Sequence, residues 1–323
     1  MKAALRGGGI LGGLGIVLFG LALGLSVAAP REPLDWVSNR PENVARAAAG
    51  GETFRVAVLG DTQNGLAVFD DLLAALAGES IDFAIHGGDL VCHDTPGHWK
   101  LVLSHAAASP LRCPIFVAPG NHDISERDGG ARFERFVGPR QVVIDRGRAS
   151  FFILDNARRA SIDEAWLEDQ LQRRAGRMLA VHLHRPPFRV DADRIEANEG
   201  YERFLELCRR HAVRYVFCGH AHEYKRIADD GLTYVINGVG GDYSTGEFGR
   251  DGWATILEVD GTQATDRALR APKRWSAWTE VRHAAIGHMD PAASAAGLGL
   301  CVLLGAVCAR ALRSRRGEAI RTP

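Results

Sequence analysis

The chain has no Cys-x-x-Cys pair, no internal repeat, no low-complexity block and no net charge. The first absence removes the usual thiolate metal sites, and the second removes solenoids and propellers. Charge is balanced overall at 39 basic and 39 acidic residues, but it is unevenly placed. Lys2 and Arg6 precede the first apolar run, and Arg310, Arg313, Arg315, Arg316 and Arg321 follow the last, opposed only by Glu318. Without these ends the chain holds six more acidic than basic residues, and it lacks interleaved basic and aromatic residues. A polyanion such as nucleic acid therefore finds no bulk electrostatic hold, and small phosphorylated partners are favoured. With 46% apolar residues the chain can bury a core, which excludes disorder as the default. Cys92, Cys113, Cys208 and Cys218 read as small buried filler, with one disulfide as the lesser alternative.

Two long apolar runs are present. Ile10 to Ala29 has no charge over twenty residues, which at ~1.5 Å per residue matches a bilayer core of ~30 Å. It is either an anchor or a signal cleaved near Ser26-Val27-Ala28, and its length favours the anchor. Ala292 to Ala309 reads as a second span, with a buried core helix or a C-terminal sorting signal as alternatives. Positive flanks on both ends orient residues 30–290 to the extracytoplasmic side of a membrane. The expected organisation is a signal or anchor at 1–29, a linker at 30–51, a catalytic domain at 52–288, a span at 292–309 and a basic cytoplasmic tail at 310–323.

Between the ends, short apolar runs close on Gly, Asp, Asn or His. Phe54 to Leu59 runs into Gly60-Asp61, Phe83 to Ile85 into His86-Gly-Gly-Asp89, and Ile115 to Ala118 into Pro119-Gly-Asn-His-Asp123. Met178 to Val181 runs into His182-Leu-His184, and Tyr215 to Cys218 into Gly219-His-Ala-His222. Leu66 to Ala77, Asp163 to Arg174 and Tyr201 to His211 have helical periodicity, with Ser161 and Glu164 forming a capping box for the second. This alternation is the pattern of an α/β sheet whose strand ends carry the ligand-facing groups.

Those ends supply two aspartates, an asparagine and at least three histidines. Mixed oxygen and imidazole donors suit Mn²⁺, Zn²⁺ or Fe²⁺. Six ligands are too many for one ion that keeps an open position. They suit two ions ~3.5–4 Å apart, which clamp the attacking and leaving oxygens of a displacement at phosphorus.

Gly-Asn-His-Asp at 120–123 and Gly-His-Ala-His at 219–222, with the other three blocks in the same order, resemble the calcineurin-like metallophosphoesterase superfamily over Phe54 to Asn237. The resemblance implies a four-layer α/β/β/α sandwich of two mixed sheets, with in-line attack on a phosphomonoester or phosphodiester by a hydroxide bridging two metals. It further implies that Asp61 and His222 hold one ion, that Asp89 bridges, and that Asn121, His184 and His220 hold the other. His122 would face the phosphate, oriented by Asp123. His182 and His184 lie on one strand face by period-two spacing. The family's Pro-Pro pair, here Pro186-Pro187, selects His184 and leaves His182 as a supporting or core residue.

One departure stands out. The family's Asp-x-His is Asp61-Thr62-Gln63 here, and an amide oxygen is a weaker, neutral ligand. The rival to an enzyme is accordingly a membrane-tethered module of the same fold that binds a phospho-ligand or partner with little turnover. Arg185, next to a ligand position, is the candidate substrate contact. Asn237-Gly-Val-Gly-Gly241 reads either as a phosphate-admitting loop or as a turn. His86, His93, His98 and His105 are expected to be structural, with Asp94 and His98 at the mouth of the site.

Overall fold

The computed structural model describes residues 34–158, 162–191, 195–241 and 251–271. Eleven strands among them form two mixed sheets. In the first, β1 (Thr53–Leu59), β2 (Phe83–His86) and β3 (Ile115–Val117) run parallel. The strands β10 (Gly252–Asp260) and β11 (Gln263–Ala271) extend that sheet antiparallel beyond β1. In the second, β5 (Ala149–Ile153), β6 (Met178–His182), β7 (Tyr215–Cys218) and β9 (Leu232–Asn237) are parallel. The strands β4 (Val142–Arg146) and β8 (Tyr224–Asp229) pair antiparallel at its two edges.

Period-two alternation distributes the apolar residues over three cores. Phe54, Val56, Val58, Phe83 and Ile85 face Phe151, Ile153, Ala180 and Phe217 across the gap between the sheets. Ala57, Leu59, Ala84 and Val117 face outward onto α2 (Leu66–Ala77) and α3 (Pro96–Ala108). Phe152, Leu179, Val181 and Val216 face outward from the other sheet onto α5 (Glu164–Arg173) and α6 (Glu202–Arg210). The result is helix, sheet, sheet, helix. The T-shaped Phe83–Phe151 pair at 5.2 Å ties the two sheets at the centre.

Two sequence expectations are corrected and one helix is added. The segment assigned to a linker carries α1 (Pro41–Ala48), and Trp36 to Asn39 lie along the outer side of β3. Ile115 N donates to Trp36 O at 2.6 Å, and the Asn39 amide bonds both Val117 O and Val117 N. Val37, Ser38 and Asn39 are therefore buried, because the Asn39 amide satisfies a sheet edge that water would otherwise have to serve. The N-cap of α5 is Asp163, whose carboxylate accepts from Trp166 N at 3.0 Å. Ser161, expected in that role, lies outside the described residues. The helix α3 was not anticipated; Thr95 caps it and Pro96 opens it.

No helix among the described residues is long and apolar enough to cross a membrane. Both apolar runs expected to span, and the basic tail, lie outside the described residues. Among the described residues, Cys92, Cys113, Cys208 and Cys218 form no disulfide.

Candidate metal centre

The parallel strands of both sheets end on the same side of the molecule, so loops from five strands converge there. Asp61 follows β1, Asp89 follows β2 and Asn121 follows β3. His184 follows β6, while His220 and His222 follow β7. The turns that deliver these residues are conformationally costly. Of the eight non-glycine residues with positive φ among the described residues, five are Asp61, Gln63, Asp89, His220 and His222. Left-handed backbone at side chains of this kind persists only where the surrounding fold holds it, which marks these turns as a functional site rather than ordinary corners.

Gly219 shows why the packing is so close. A Cβ there would run into the Asp61 carboxylate, both oxygens of which accept from His220 N at 3.0 Å. Asp61 Oδ1 lies 3.4 Å from His222 Nε2. Gln63 Nε2 is 3.0 Å from Asp89 Oδ2 and 3.4 Å from His222 Nε2, so this side chain faces the same point as Asp61, Asp89 and His222. On the other side of Asp89, its Oδ1 lies 3.4 Å from His184 Nε2. That nitrogen is 3.1 Å from Asn121 Oδ1 and 3.2 Å from His220 Nδ1. Two groups of ligand atoms result, Asp61/Asp89/His222 and Asp89/His184/His220, with Asp89 common to both.

The donor chemistry fits divalent cations. His184 Nδ1 lies 3.0 Å from Gly87 O, a contact in which only the ring can donate. In the neutral ring Nε2 is therefore a lone pair, aimed at the lone pairs of Asn121 and Asp89. Acceptors converging on one buried point require a proton or a cation between them. Without a cation, His184 takes the proton. Burial disfavours its charged form, but Asp89, Asp61 and the Gly87 carbonyl together outweigh burial and lift the ring to about 9. Burial also opposes ionisation of Asp89, yet His184 and the His122 backbone N–H hold it below the usual carboxylate range. Burial raises Asp61, and burial together with the His184 charge lowers His220 to about 4.

Of the expected catalytic pair, His122 is at the site and Asp123 is not its orienter. His122 Nδ1 is held by Cys92 O at 2.7 Å, leaving Nε2 3.9 Å from Asp89 Oδ2. The Asp123 carboxylate is fully buried and accepts from Val91 N and Gly120 N at 3.0 and 2.9 Å. It therefore joins the loops after β2 and β3. Burial, and Asp89 nearby, push it up to about 7.

Arg185 reaches the site: its Nη1 lies 3.0 Å from His220 Nε2 and its Nε donates to Ala157 O at 3.0 Å. His182 is a core residue stacked on Phe217 at 4.8 Å, and burial lowers it to about 3. The glycines after Asn237 pack against the ligand turns: a Cβ on Gly240 would meet the Gly60 carbonyl. Close backbone approach accounts for that loop without a bound phosphate. A cavity of about 930 Å³ opens beside the centre, lined by His93, Asp94, Asn121, His122, Ser125 and Arg127. Asp94 is at this mouth as expected, bonded to Trp99 Nε1 at 2.8 Å and to Arg132 at 2.9 Å. His98 is buried behind it, accepting from His93 N at 3.1 Å.

One residue that the sequence reading passed over supports the centre. Asn156 is fully buried, and its Oδ1 accepts from His184 N at 2.9 Å and Arg185 N at 3.0 Å. Its Nδ2 donates to Arg185 O and to Tyr201 Oη. The signal was present, since Phe151 to Leu154 is another apolar run ending in polar residues, Asp155-Asn156.

The calcineurin-like phosphoesterase family model matches residues 54–224, just over half of the chain. The chain belongs to the calcineurin-like phosphoesterase family. The hydrolase class expected from the five blocks, acting on phosphate esters, is that of this family. This phosphoesterase-family chain is similar to the glycerophosphodiester phosphodiesterase GpdQ of Enterobacter lignolyticus (strain SCF1). The two are 28% identical over 182 residues, which cover 47% of this chain and 60% of that protein. Among solved structures it is similar to the purple acid phosphatase PPD1 of yellow lupin (Lupinus luteus), with a TM-score of 0.54 and 17% identity, covering 69% of this chain and 52% of that one. It is also similar to GAP50, the anchor in the inner membrane complex of Plasmodium, with a TM-score of 0.52, 14% identity and coverage of 72% and 94%. The chain thus spans about three fifths of the curated relative and half of the lupin enzyme. The two structures share its fold.

Proposed function

We propose that this protein hydrolyses phosphodiesters with the help of two divalent ions, Mn²⁺, Zn²⁺ or Fe²⁺. The observation that carries the reading is the pair of ligand groups sharing Asp89. Asp61, Gln63, Asp89 and His222 would hold one ion, and Asp89, Asn121, His184 and His220 the other. Such ions supply an activated water at neutral pH and offset the negative charge of the phosphate. His122 has its Nδ1 donating to the Cys92 carbonyl, which fixes the ring with Nε2 toward the site, where it would serve as proton donor to the departing oxygen.

Arg185 can only donate, so in its contact with His220 the Nε2 accepts and Nδ1 carries the ring proton. Were His220 Nδ1 to hold an ion, its ring proton would sit on Nε2, and Arg185, having lost that acceptor, would be left to donate to a phosphate oxygen. The name of the curated relative supports a diester. So does the 930 Å³ cavity beside His122, which leaves room for a second ester substituent. The charged ends support a catalytic domain held at the outer face of a membrane, and protease added to intact cells should then degrade it.

The test uses the full chain in detergent, stripped of metal, with nitrophenol release followed from bis- and mono-nitrophenyl phosphate as Mn²⁺, Zn²⁺ or Fe²⁺ is restored. Metal-dependent turnover that favours the diester and is lost in Asn121→Ala and His220→Ala is the expected result. Gln63 favours a second reading, a phospho-ligand or partner-binding module. Silence with every metal in folded protein that binds two ions would establish that reading instead.

A further inference from the structure

We propose that Cys92, His93 and His122 form a third divalent-cation site, of thiolate and imidazole character, at the edge of the candidate centre. One ligand atom from each of the three lies within 4.8 Å of the others, and the group contains none of the residues assigned to the two ions above. Cys92 Sγ is 3.8 Å from His93 Nε2. Sulfur and nitrogen ligands at ~2.3 and ~2.0–2.1 Å on one tetrahedral Zn²⁺ are ~3.6 Å apart, so this pair already stands near ligand spacing.

The loop that carries the cluster is held from several sides. His93 stacks on His98 with ring centres 5.3 Å apart and a tilt of 20°, and its backbone N–H donates to His98 Nδ1 at 3.1 Å. Asp94, the next residue, bonds Trp99 Nε1 and Ser125 N. The loop backbone is held by the His93 N–H and Asp94 contacts, so closing the remaining gap requires rotation of the exposed His93 ring away from His98 rather than loop movement. Three protein ligands leave a fourth position that opens into the 930 Å³ cavity, where water completes the set.

The donor set also sets the selectivity. Asp61, Asp89 and Asn121 give the candidate centre oxygen donors that accept Mn²⁺, whereas a thiolate with two imidazoles selects Zn²⁺ or Co²⁺ and discriminates against Mn²⁺ and Mg²⁺. Binding releases the thiol proton to the buffer, so occupancy rises with pH. An ion here would use a ring nitrogen of His122 as a ligand and so take that ring away from the departing oxygen it would otherwise face. Zinc in excess of the catalytic ions is thus an inhibitor where manganese is not. The inhibition rests on the catalytic reading of His122; the binding does not.

The experiment uses the full-length protein under reductant with its centre loaded by Mn²⁺. Titration with Co²⁺ should bring in a sulfur-to-cobalt charge-transfer absorption in the near ultraviolet, absent from Cys92→Ser. Elemental analysis after Zn²⁺ loading should give one ion fewer per chain in both Cys92→Ser and His93→Ala than in wild type. His93 is exposed, so its replacement tests the site without disturbing the core. Added Zn²⁺ should inhibit bis-nitrophenyl phosphate hydrolysis in wild type, with at least a tenfold higher concentration needed in His93→Ala. Equal zinc content in wild type and both variants, or cobalt spectra without the sulfur band, would overturn the site. Loss of one ion in the variants without any zinc inhibition of the wild type would overturn the competition for His122.

Discussion

Replacing Asn156 by alanine tests whether the His184–Arg185 turn depends on a buried amide with no ligand role of its own. The substitution removes four hydrogen bonds, of 2.9, 3.0, 2.8 and 3.2 Å, and strands the His184 N–H, the Arg185 N–H and the Arg185 carbonyl. At ~1 kcal/mol net for each lost bond, and more for any group left dry, the cost is roughly 4 kcal/mol. In a domain of this size that lowers Tm by roughly 8–16 °C, at ~2–4 °C per kcal/mol. The turn also carries His184, a candidate metal ligand, and removal of a ligand's support costs ~10–100-fold in metal affinity. Scanning calorimetry in chelator gives the first number and Mn²⁺ titration calorimetry the second. A Tm within about 3 °C of wild type, together with unchanged Mn²⁺ affinity, would refute the argument. It would mean that the backbone of this turn is held by the strands alone.

Two further outcomes follow from the same geometry. Gln63→His places an imidazole where an amide now lies 3.0 Å from Asp89 and 3.4 Å from His222, and should tighten the first ion by about tenfold or more. Unchanged affinity in a competition titration would mean that position 63 does not face an ion. The stability of the protein in chelator should depend on pH through His184. Its folded value, about 9, lies above the unfolded 6.5, so its contribution is complete below pH 6.5 and disappears as pH rises through 9. Tm in chelator should therefore fall between pH 6.5 and 9. Added divalent metal should abolish the fall, because an ion takes the neutral ring. A flat or rising Tm in chelator over that interval would show that His184 is not held as an imidazolium.

The strands that build the candidate centre and most of the side chains they gather there were legible because their signals are local. Each apolar run alternates between two cores and then meets a glycine and an acidic, amide or imidazole group, so the chain itself reports where a strand stops and what it presents. Asp61, Asp89, Asn121, His184, His220 and His222 all come together as the five blocks imply. What was not legible concerns buried polar groups whose partners are distant in sequence. Asn39 looks like linker, yet it serves Val117, 78 residues away. Asp123 stands next to His122 in the chain, yet its carboxylate turns to Val91, 32 residues earlier, while the Cys92 carbonyl holds His122.

The sequence by itself thus determined the alternation of strands and helices, the family and the chemistry available at the strand ends, since periodicity and residue type are properties of neighbouring positions. Only the tertiary structure decided that Gln63 faces the same point as Asp61 and His222 and that Asn156 supports His184. It alone set Cys92 and His93 beside His122. Burial removes water as a partner, so each polar group there must find its hydrogen bond in whatever chain segment the packing brings against it.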